Sequence, residues 1–326
     1  MLGFITNRLA NAVIVMLAVA FLAFTLANYV GDPVSAILGD NVSPAAKIAF
    51  RHSLGLDQPV AVQFGRFLWR TAHGDFGISY QNMEPVSKVL MERAPATLEL
   101  SVAAMLLALG LGIPAGVHSA LHPRSWSTRL MQVMSLVGIS LPSFFTGILL
   151  ILIFSVKLDW LASFGRGATV QIGWWSTGLL TRSGLEALIL PAITLGLFQL
   201  TLIMRIVRAE MLEVLRTDYI RFARARGIRR RVINFGHALK NTLVPVITIA
   251  GLQLGSIIGF SVITETVFQW PGLGLLLIQA INFGDMPVLS AYLVLIAACF
   301  IVINLAVDLL YYAVDPRIRI GRISPA

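Results

Sequence analysis

Leu130–Val156 reads LMQVMSLVGISLPSFFTGILLILIFSV, 27 residues without a charge. As a helix rising 1.5 Å per residue it would be about 40 Å long, more than the roughly 30 Å hydrocarbon core of a bilayer. A soluble domain has no use for an uncharged apolar segment of that length, so this stretch sets the class of the whole chain. Five more charge-free runs behave alike: Leu9–Val30, Leu100–Val117, Ala187–Met204, Asn241–Thr264 and Met286–Val307, of 22, 18, 18, 24 and 22 residues. Each reaches the length at which a spanning helix is expected. The sequence therefore predicts an all-α polytopic membrane protein with six transmembrane helices.

Composition agrees. Of 326 residues, 57% are hydrophobic and 13% charged, about half the charged share of a soluble chain. A disordered chain, a disulfide scaffold and an ordinary cytosolic enzyme are excluded. The one cysteine, Cys299, cannot form an intramolecular disulfide. Among Ala297, Ala298, Phe300 and Ile301 it is expected to be a small apolar packing residue. The first run is longer than the apolar region of a signal peptide, and Asn28-Tyr29-Val30-Gly31 is a poor cleavage site. It is expected to be a retained first span.

The net charge is +9, and the spans show where it sits. With the N-terminus inside, the inner segments hold 16 basic and four acidic residues and the outer ones nine basic and eleven acidic. Basic residues mark the cytoplasmic side, so both termini are expected in the cytoplasm of a bacterial cell, with the chain in the inner membrane. Orientation accounts for the positive excess. No zinc-finger spacing, RNA-binding aromatic motif or DNA-reading basic helix is present, so no nucleic-acid partner is expected.

The spans divide the chain. Residues 1–30 form a cytoplasmic N-terminus and first span. Residues 31–95 form an extracytoplasmic insertion with helical patches at Ala45–Ser53 and Val60–Ala72. Residues 96–312 form a five-helix core, and 313–326 a cytoplasmic tail. A second excursion, Lys157–Glu186, carries Trp160, Trp174 and Trp175, residues suited to a membrane interface. A third, Glu265–Asp285, has a short helix expected at Leu273–Ile281. Pro114, Pro142, Pro191 and Pro245 fall inside spans. Neighbouring helices can satisfy the freed carbonyls, so they are candidate kinks, either hinges along a path or ordinary packing bends.

The loop 205–240 is the most informative segment, with ten basic and three acidic residues in 36 positions. Thr217-Asp218 offers a helix N-cap, with Asp218 favourable to the helix dipole. Tyr219–Arg226 follows as two turns, and Gly227 fits the left-handed position that ends them. Ile228, Val232, Phe235 and Leu239 recur at helical spacing as a second helix. Tyr219, Ile220, Ala223 and Ile228 form an apolar ridge among arginines. Such a ridge suits a cytosolic protein's cleft; the other reading is a solvated loop whose arginines meet lipid phosphates.

Asp218-Tyr219-Ile220-Arg221-Phe222-Ala223-Arg224-Ala225-Arg226-Gly227, followed by His237-Ala238-Leu239-Lys240-Asn241-Thr242-Leu243-Val244-Pro245, resembles the coupling loop of ABC importer permeases. The likeness is to the branch handling dipeptides, oligopeptides, glutathione and nickel. Gly31-Asp32-Pro33, Leu54-Gly55-Leu56-Asp57-Gln58-Pro59, His73-Gly74-Asp75-Phe76-Gly77, Ala96-Thr97-Leu98-Glu99-Leu100, Thr264–Gly274 and Asp315-Pro316-Arg317-Ile318-Arg319 match the same branch. The long segment after the first span resembles its B-type subunit. Two positions depart from the wider family. Arg221-Phe222-Ala223 stands where Glu-Ala-Ala is common, which weakens any salt bridge to an ATPase at 221, and Lys240 replaces a frequent Arg.

The resemblance implies the type I ABC importer permease fold and alternating access, with no catalysis on this chain. It also implies a heterodimer with a second homologous permease subunit and an extracytoplasmic solute-binding protein, periplasmic or lipid-anchored. Two cytoplasmic ATPase subunits would carry ATP and Mg. The coupling residues it implies are Asp218, Tyr219, Ile220, Ala223, Arg224, Ala225, Gly227 and Ile228. Glu265, Trp270, Pro271 and Gly272 are candidates for a gate or a contact with the binding protein. No cofactor or metal is expected on this chain. A phosphate-binding P-loop needs Gly-Lys, and Lys47, Lys88, Lys157 and Lys240 never follow glycine.

Other constellations point elsewhere. His118 and His122 have the spacing of a helical zinc pair, but Ser119 occupies the place of the metalloprotease glutamate. Gly138-Ile139-Ser140-Leu141 lacks the final glycine of a serine nucleophile site. Asp308 and Glu265, the carboxylates nearest the membrane core, are what an ion-coupled secondary transporter would use. That class usually shows repeat symmetry, and none is seen. A non-transporting membrane scaffold is a third reading.

Overall fold

The computed structural model describes residues 2–30, 43–53 and 57–314. Gly31-Asp32-Pro33, Leu54-Gly55-Leu56 and the tail from Asp315 onward lie outside the described residues. The chain is helical apart from one small hairpin: α1 (Leu2–Thr25), α2 (Pro44–Ser53), α3 (Val60–Ala72), α4 (Val86–Leu121), α5 (Trp126–Ser140), α6 (Ser143–Leu150), β1 (Val170–Ile172), β2 (Trp175–Thr177), α7 (Arg182–Val214), α8 (Asp218–Ala225), α9 (Leu239–Val267), α10 (Leu273–Phe283) and α11 (Met286–Val314). The hairpin, turning at Gly173 with φ +61°, and an isolated antiparallel bridge between Ile78 and Pro85 are the departures from an all-α chain among the described residues.

Among the described residues five helices are long and apolar enough to cross a membrane: Arg8–Asn28, Val86–Leu121, Arg182–Val214, Val232–Val267 and Met286–Leu309. The sixth expected span, Leu130–Val156, is not straight. It is the pair α5 and α6 with a π-helical extension to Lys157, bent by 111° between Ser140 and Ser143. Pro142 is the cause: it lacks an N–H and disfavours helical geometry at the residue before it. Leu141 accordingly takes extended angles, φ −84° and ψ 131°. Pro114, Pro191 and Pro245 instead lie inside helices that continue through them. The 111° bend is thus specific to one of the four candidate kinks.

Two compact units are present, with α4 and α11 contributing to both. In the first, Val86, Val89 and Leu90 of α4 meet Leu273, Leu276 and Ala280 of α10 and Val288, Leu289 and Tyr292 of α11. Phe64 of α3 packs edge-on against Phe21 and Phe24 of α1, at 5.5 and 5.4 Å. Asp285 is 1% exposed and sits immediately before α11. Its carboxylate accepts hydrogen bonds from the Ser79 hydroxyl at 2.5 Å and from the Gln81 and Val288 amides at 3.2 and 3.4 Å. One side chain thus caps a spanning helix and pins the loop before α4.

In the second unit α7 is the central helix, and its closeness to α4 depends on glycine. A Cβ at Gly116 would lie 2.7 Å from the Met204 carbonyl oxygen and from Val207 Cβ. One at Gly112 would lie 3.0 Å from the Leu200 oxygen, and one at Gly196, 2.8 Å from the Ala104 oxygen. This is small-residue packing of the kind that joins membrane helices, where there is no hydrophobic drive to do it. Glu99 and Arg166, both buried, form an ion pair at 2.6 Å, and Glu99 also accepts from the Gly178 amide at 3.3 Å. The excursion after α6 is thereby tied to α4.

Candidate functional site

The loop 205–240 folds on local rules. Thr217 takes the cap position before α8, but its hydroxyl donates to the Val214 carbonyl at 2.6 Å rather than accepting from the new helix. Asp218 begins the helix and pairs with Arg221 at 3.2 Å, both side chains largely exposed; such a pair contributes little. The end of α8 is as expected. Gly227 is left-handed at φ +76°. Its amide donates to the Arg224 carbonyl at 3.0 Å, and the Ile228 amide donates to that of Ala223 at 3.3 Å. These are the two bonds of a Schellman stop.

Which face points outward differs from the expectation. Ile220 is 0% and Ala223 7% exposed, so both are buried within the chain. Ile228 is half-buried, and Asp218, Arg224, Ala225 and Gly227 are exposed. The exposed apolar groups are Tyr219 at 43% and Phe222 at 64%, one turn apart on a single face. Arg226 lies over the Phe222 ring at 5.7 Å, and Asn241 donates to the Tyr219 hydroxyl at 2.6 Å. The expected ridge thus divides: Ile220 and Ala223 are buried beneath α8, while Tyr219 and Phe222 are exposed on it. Phe222, which is not among the expected coupling residues, is exposed three positions from Tyr219.

The second stripe also changes. Val232–Ala238 is π-helical, so the period no longer matches the ordinary helical one. Ile233, Asn234 and Ala238 turn inward, while Val232 and Phe235 are exposed. The local winding, not the spacing of apolar residues, decides which side is covered.

The Glu265–Gly272 segment is an interior turn. Glu265 is 0% and Trp270 1% exposed, and Gly272 is buried; Pro271 is half-buried. Ser261 donates to the Glu265 carboxylate at 3.0 Å, and the Trp270 amide donates to the Glu265 carbonyl at 2.8 Å. In this conformation the side chains of Glu265 and Trp270 are covered by the chain itself. Asp308 is half-buried near the end of α11. His118 and His122 stack at 4.8 Å, and His118 Nε2 is 2.8 Å from the Ser127 hydroxyl. Among the described residues no group of three metal-ligating side chains occurs.

The described residues form a multi-pass chain with an arginine-rimmed surface helix between two of its longest spans. Comparison with known proteins makes this specific. Residues 112–320 match the family described as binding-protein-dependent transport system inner membrane component, and residues 1–101 match the N-terminal part described for the same systems. The dipeptide transport system permease protein DppB of Alkalihalophilus pseudofirmus is 38% identical over 98% of this chain and 100% of its own length. The glutathione transport system permease protein GsiC of Salmonella paratyphi A is 37% identical over 98% of this chain and 99% of its own. DppB of Escherichia coli is 38% identical over the same shares. Among solved structures, a chain from inward-facing conformations of the MetNI methionine ABC transporter superposes with a TM-score of 0.56 at 21% identity, covering 70% of this chain and 96% of that one; this likeness concerns the fold.

This chain is the permease component of an ABC importer, with ATP hydrolysis on separate subunits. It belongs to the binding-protein-dependent transport system inner membrane component family.

Proposed function

We propose that the chain imports peptides as one half of a heterodimeric channel, fed by an extracytoplasmic solute-binding protein. Both termini face the cytoplasm and six spans cross the inner membrane, the third of them being the bent pair α5 and α6. Support comes from the positive bias of the expected inner segments and from relatives named for dipeptide, di/tripeptide and glutathione transport along their whole length. The observation that carries the mechanism is the outward knob of α8. Tyr219 and Phe222 enter a cleft on an ATPase subunit, the arginines line its rim, and Ile220 and Ala223 hold α8 on its own chain. ATP and Mg bound by the two ATPase subunits drive their closure. Closure moves α8 and, through Asn241 and the π-helical turn, α9. The channel then alternates between inward and outward access, with the Glu265–Gly272 turn as part of its outer gate.

Reconstitution of the two permeases with ATPase subunits and binding protein tests this. Labelled tripeptide should enter vesicles only with ATP and all components present. Uptake that persists without the ATPase subunits, or that follows a proton gradient after ATP depletion, sinks the proposal.

A further inference from the structure

α3 is 13 residues long, about 20 Å as a helix, and rich in apolar and aromatic residues. That is too short to cross a bilayer; apolar helices of roughly 10–14 residues are core, re-entrant or interfacial segments. None of its residues is buried, so α3 is not a core helix. Its position is set by α1. Phe64 meets Phe21 and Phe24 of α1 at 5.5 and 5.4 Å, and Phe67 meets Phe24 at 5.8 Å. These ring contacts occupy a single turn on each helix, so the two helices cross rather than run side by side. Phe24 and Phe21 lie four and seven residues before Asn28, where the apolar span ends. At 1.5 Å per residue the crossing is about 6–10 Å inside that end. Interfacial helices bury their apolar face to a similar depth, roughly 5–10 Å into the boundary between headgroups and acyl chains.

The faces of α3 fit that place. At about 100° per residue, Phe64 and Phe67 look toward α1, and Gln63, Arg66 and Arg70 share a second sector. On the remaining side Val62 and Trp69, seven residues apart, fall on one line and are 44% and 70% exposed. Gly65 lies beside them, with nothing within 4 Å of an added Cβ. The same openness continues onto α1. It is the least covered of the straight spans, with 17% of its apolar window buried against 33–67% elsewhere, and Phe21 and Leu22 are exposed at the crossing.

We propose that α3 is an interfacial anchor that lies across α1 in the membrane–water boundary, with Val62, Gly65 and Trp69 against phospholipid acyl chains and Gln63 and Arg66 among the headgroups. Lipid is the occupant because the strip is apolar, is level with the apolar part of α1 and joins a span that little of the chain covers. Tryptophan at the boundary and arginine on the polar sector are what such helices use. On the orientation proposed above the anchor sits in the outer leaflet. It depends on the chain being embedded in a membrane, not on the identity of its solute.

The test uses the complete reconstituted transporter in phospholipid vesicles, with Cys299→Ser removing the native thiol. Spin labels are placed singly through Val62→Cys, Gly65→Cys, Trp69→Cys and Gln63→Cys. Their collisions with oxygen, which partitions into lipid, are compared with collisions with a water-soluble nickel chelate. The oxygen-to-nickel ratio should exceed one at Val62, Gly65 and Trp69 and fall below one at Gln63. Unfolding midpoints check that the variants fold. Trp69→Cys gives up stacking on His73 at 4.4 Å; Gly65→Cys gives up no side-chain contact and carries the test if the former fails to fold. A ratio below one along the strip overturns the proposal, since α3 then stands in water. Shielding from both reagents also overturns it. Shielding that appears only with the solute-binding protein makes the strip that protein's contact, and shielding that persists without it means that the second permease covers this face.

Discussion

Arg166→Met is the most discriminating test of how the second unit is held together. Arg166 and Glu99 approach to 2.6 Å with side chains only 6% and 4% exposed. The substitution keeps most of the side-chain volume and removes the guanidinium. Glu99 retains the Gly178 amide at 3.3 Å but loses this cation. Breaking one side of a buried pair costs about 3–5 kcal/mol, because the remaining charge stays out of water. Replacing both partners by apolar groups is neutral or mildly stabilising. The purified variant should therefore unfold on the order of 5–10 °C lower, and Glu99→Met combined with Arg166→Met should recover most of that loss. Thermal unfolding in detergent measures both. A loss below about 1 kcal/mol for Arg166→Met, or a double variant no better than the single one, would refute the argument that charge burial, and not packing, sets the cost.

Phe222→Ala should weaken assembly with the ATPase subunits by about 5- to 30-fold, the effect of losing an aromatic anchor, without lowering the unfolding midpoint; co-purification yields and solute-stimulated ATPase read it. Gly116→Val places a Cβ 2.7 Å from the Met204 oxygen and Val207 Cβ, so α4 and α7 must separate, at a cost of about 1–3 kcal/mol or more, seen in the unfolding midpoint. Asp75 outside the spans accepts from Arg70 at 2.8 Å and from the Gly77 amide at 3.0 Å, which holds its carboxyl below the usual carboxylate range. A lowered folded value means that its stabilisation is present above about pH 4, the unfolded value, and is lost as pH falls through the folded one. The pair is largely exposed, so Asp75→Asn should cost at most about 1 kcal/mol at pH 7, and the difference from the unaltered chain should vanish in strong acid.

Burial within the expected coupling loop matters for experiment. Substitutions at Ile220 or Ala223 would disturb the seat of α8 and thus the fold of the loop. On the docking reading proposed above, the exposed Tyr219 and Phe222 are the positions that separate docking from folding. The same holds at Glu265, where burial makes a change to the carboxylate first a packing event. Gly112 and Gly116, four apart in a charge-free run, carried a readable small-residue signal for helix approach.

The sequence alone determined that this chain crosses a membrane several times, since uncharged runs of spanning length have no stable place in water. It placed α8 and its stop at Gly227, because left-handed geometry is a local property that glycine meets without cost. Near-periodic spacing could also name the residues of the Arg205–Lys240 ridge. It could not say which of them face the chain, because a π-helical turn at Val232–Ala238 shifts the register and only contact with neighbouring helices decides what is covered. Nor could it show that Leu130–Val156 turns through 111°. Proline permits a break, but whether a span bends or runs on, as α4, α7 and α9 do, depends on the packing around it. A cavity beside that bend exists only once four helices are brought together.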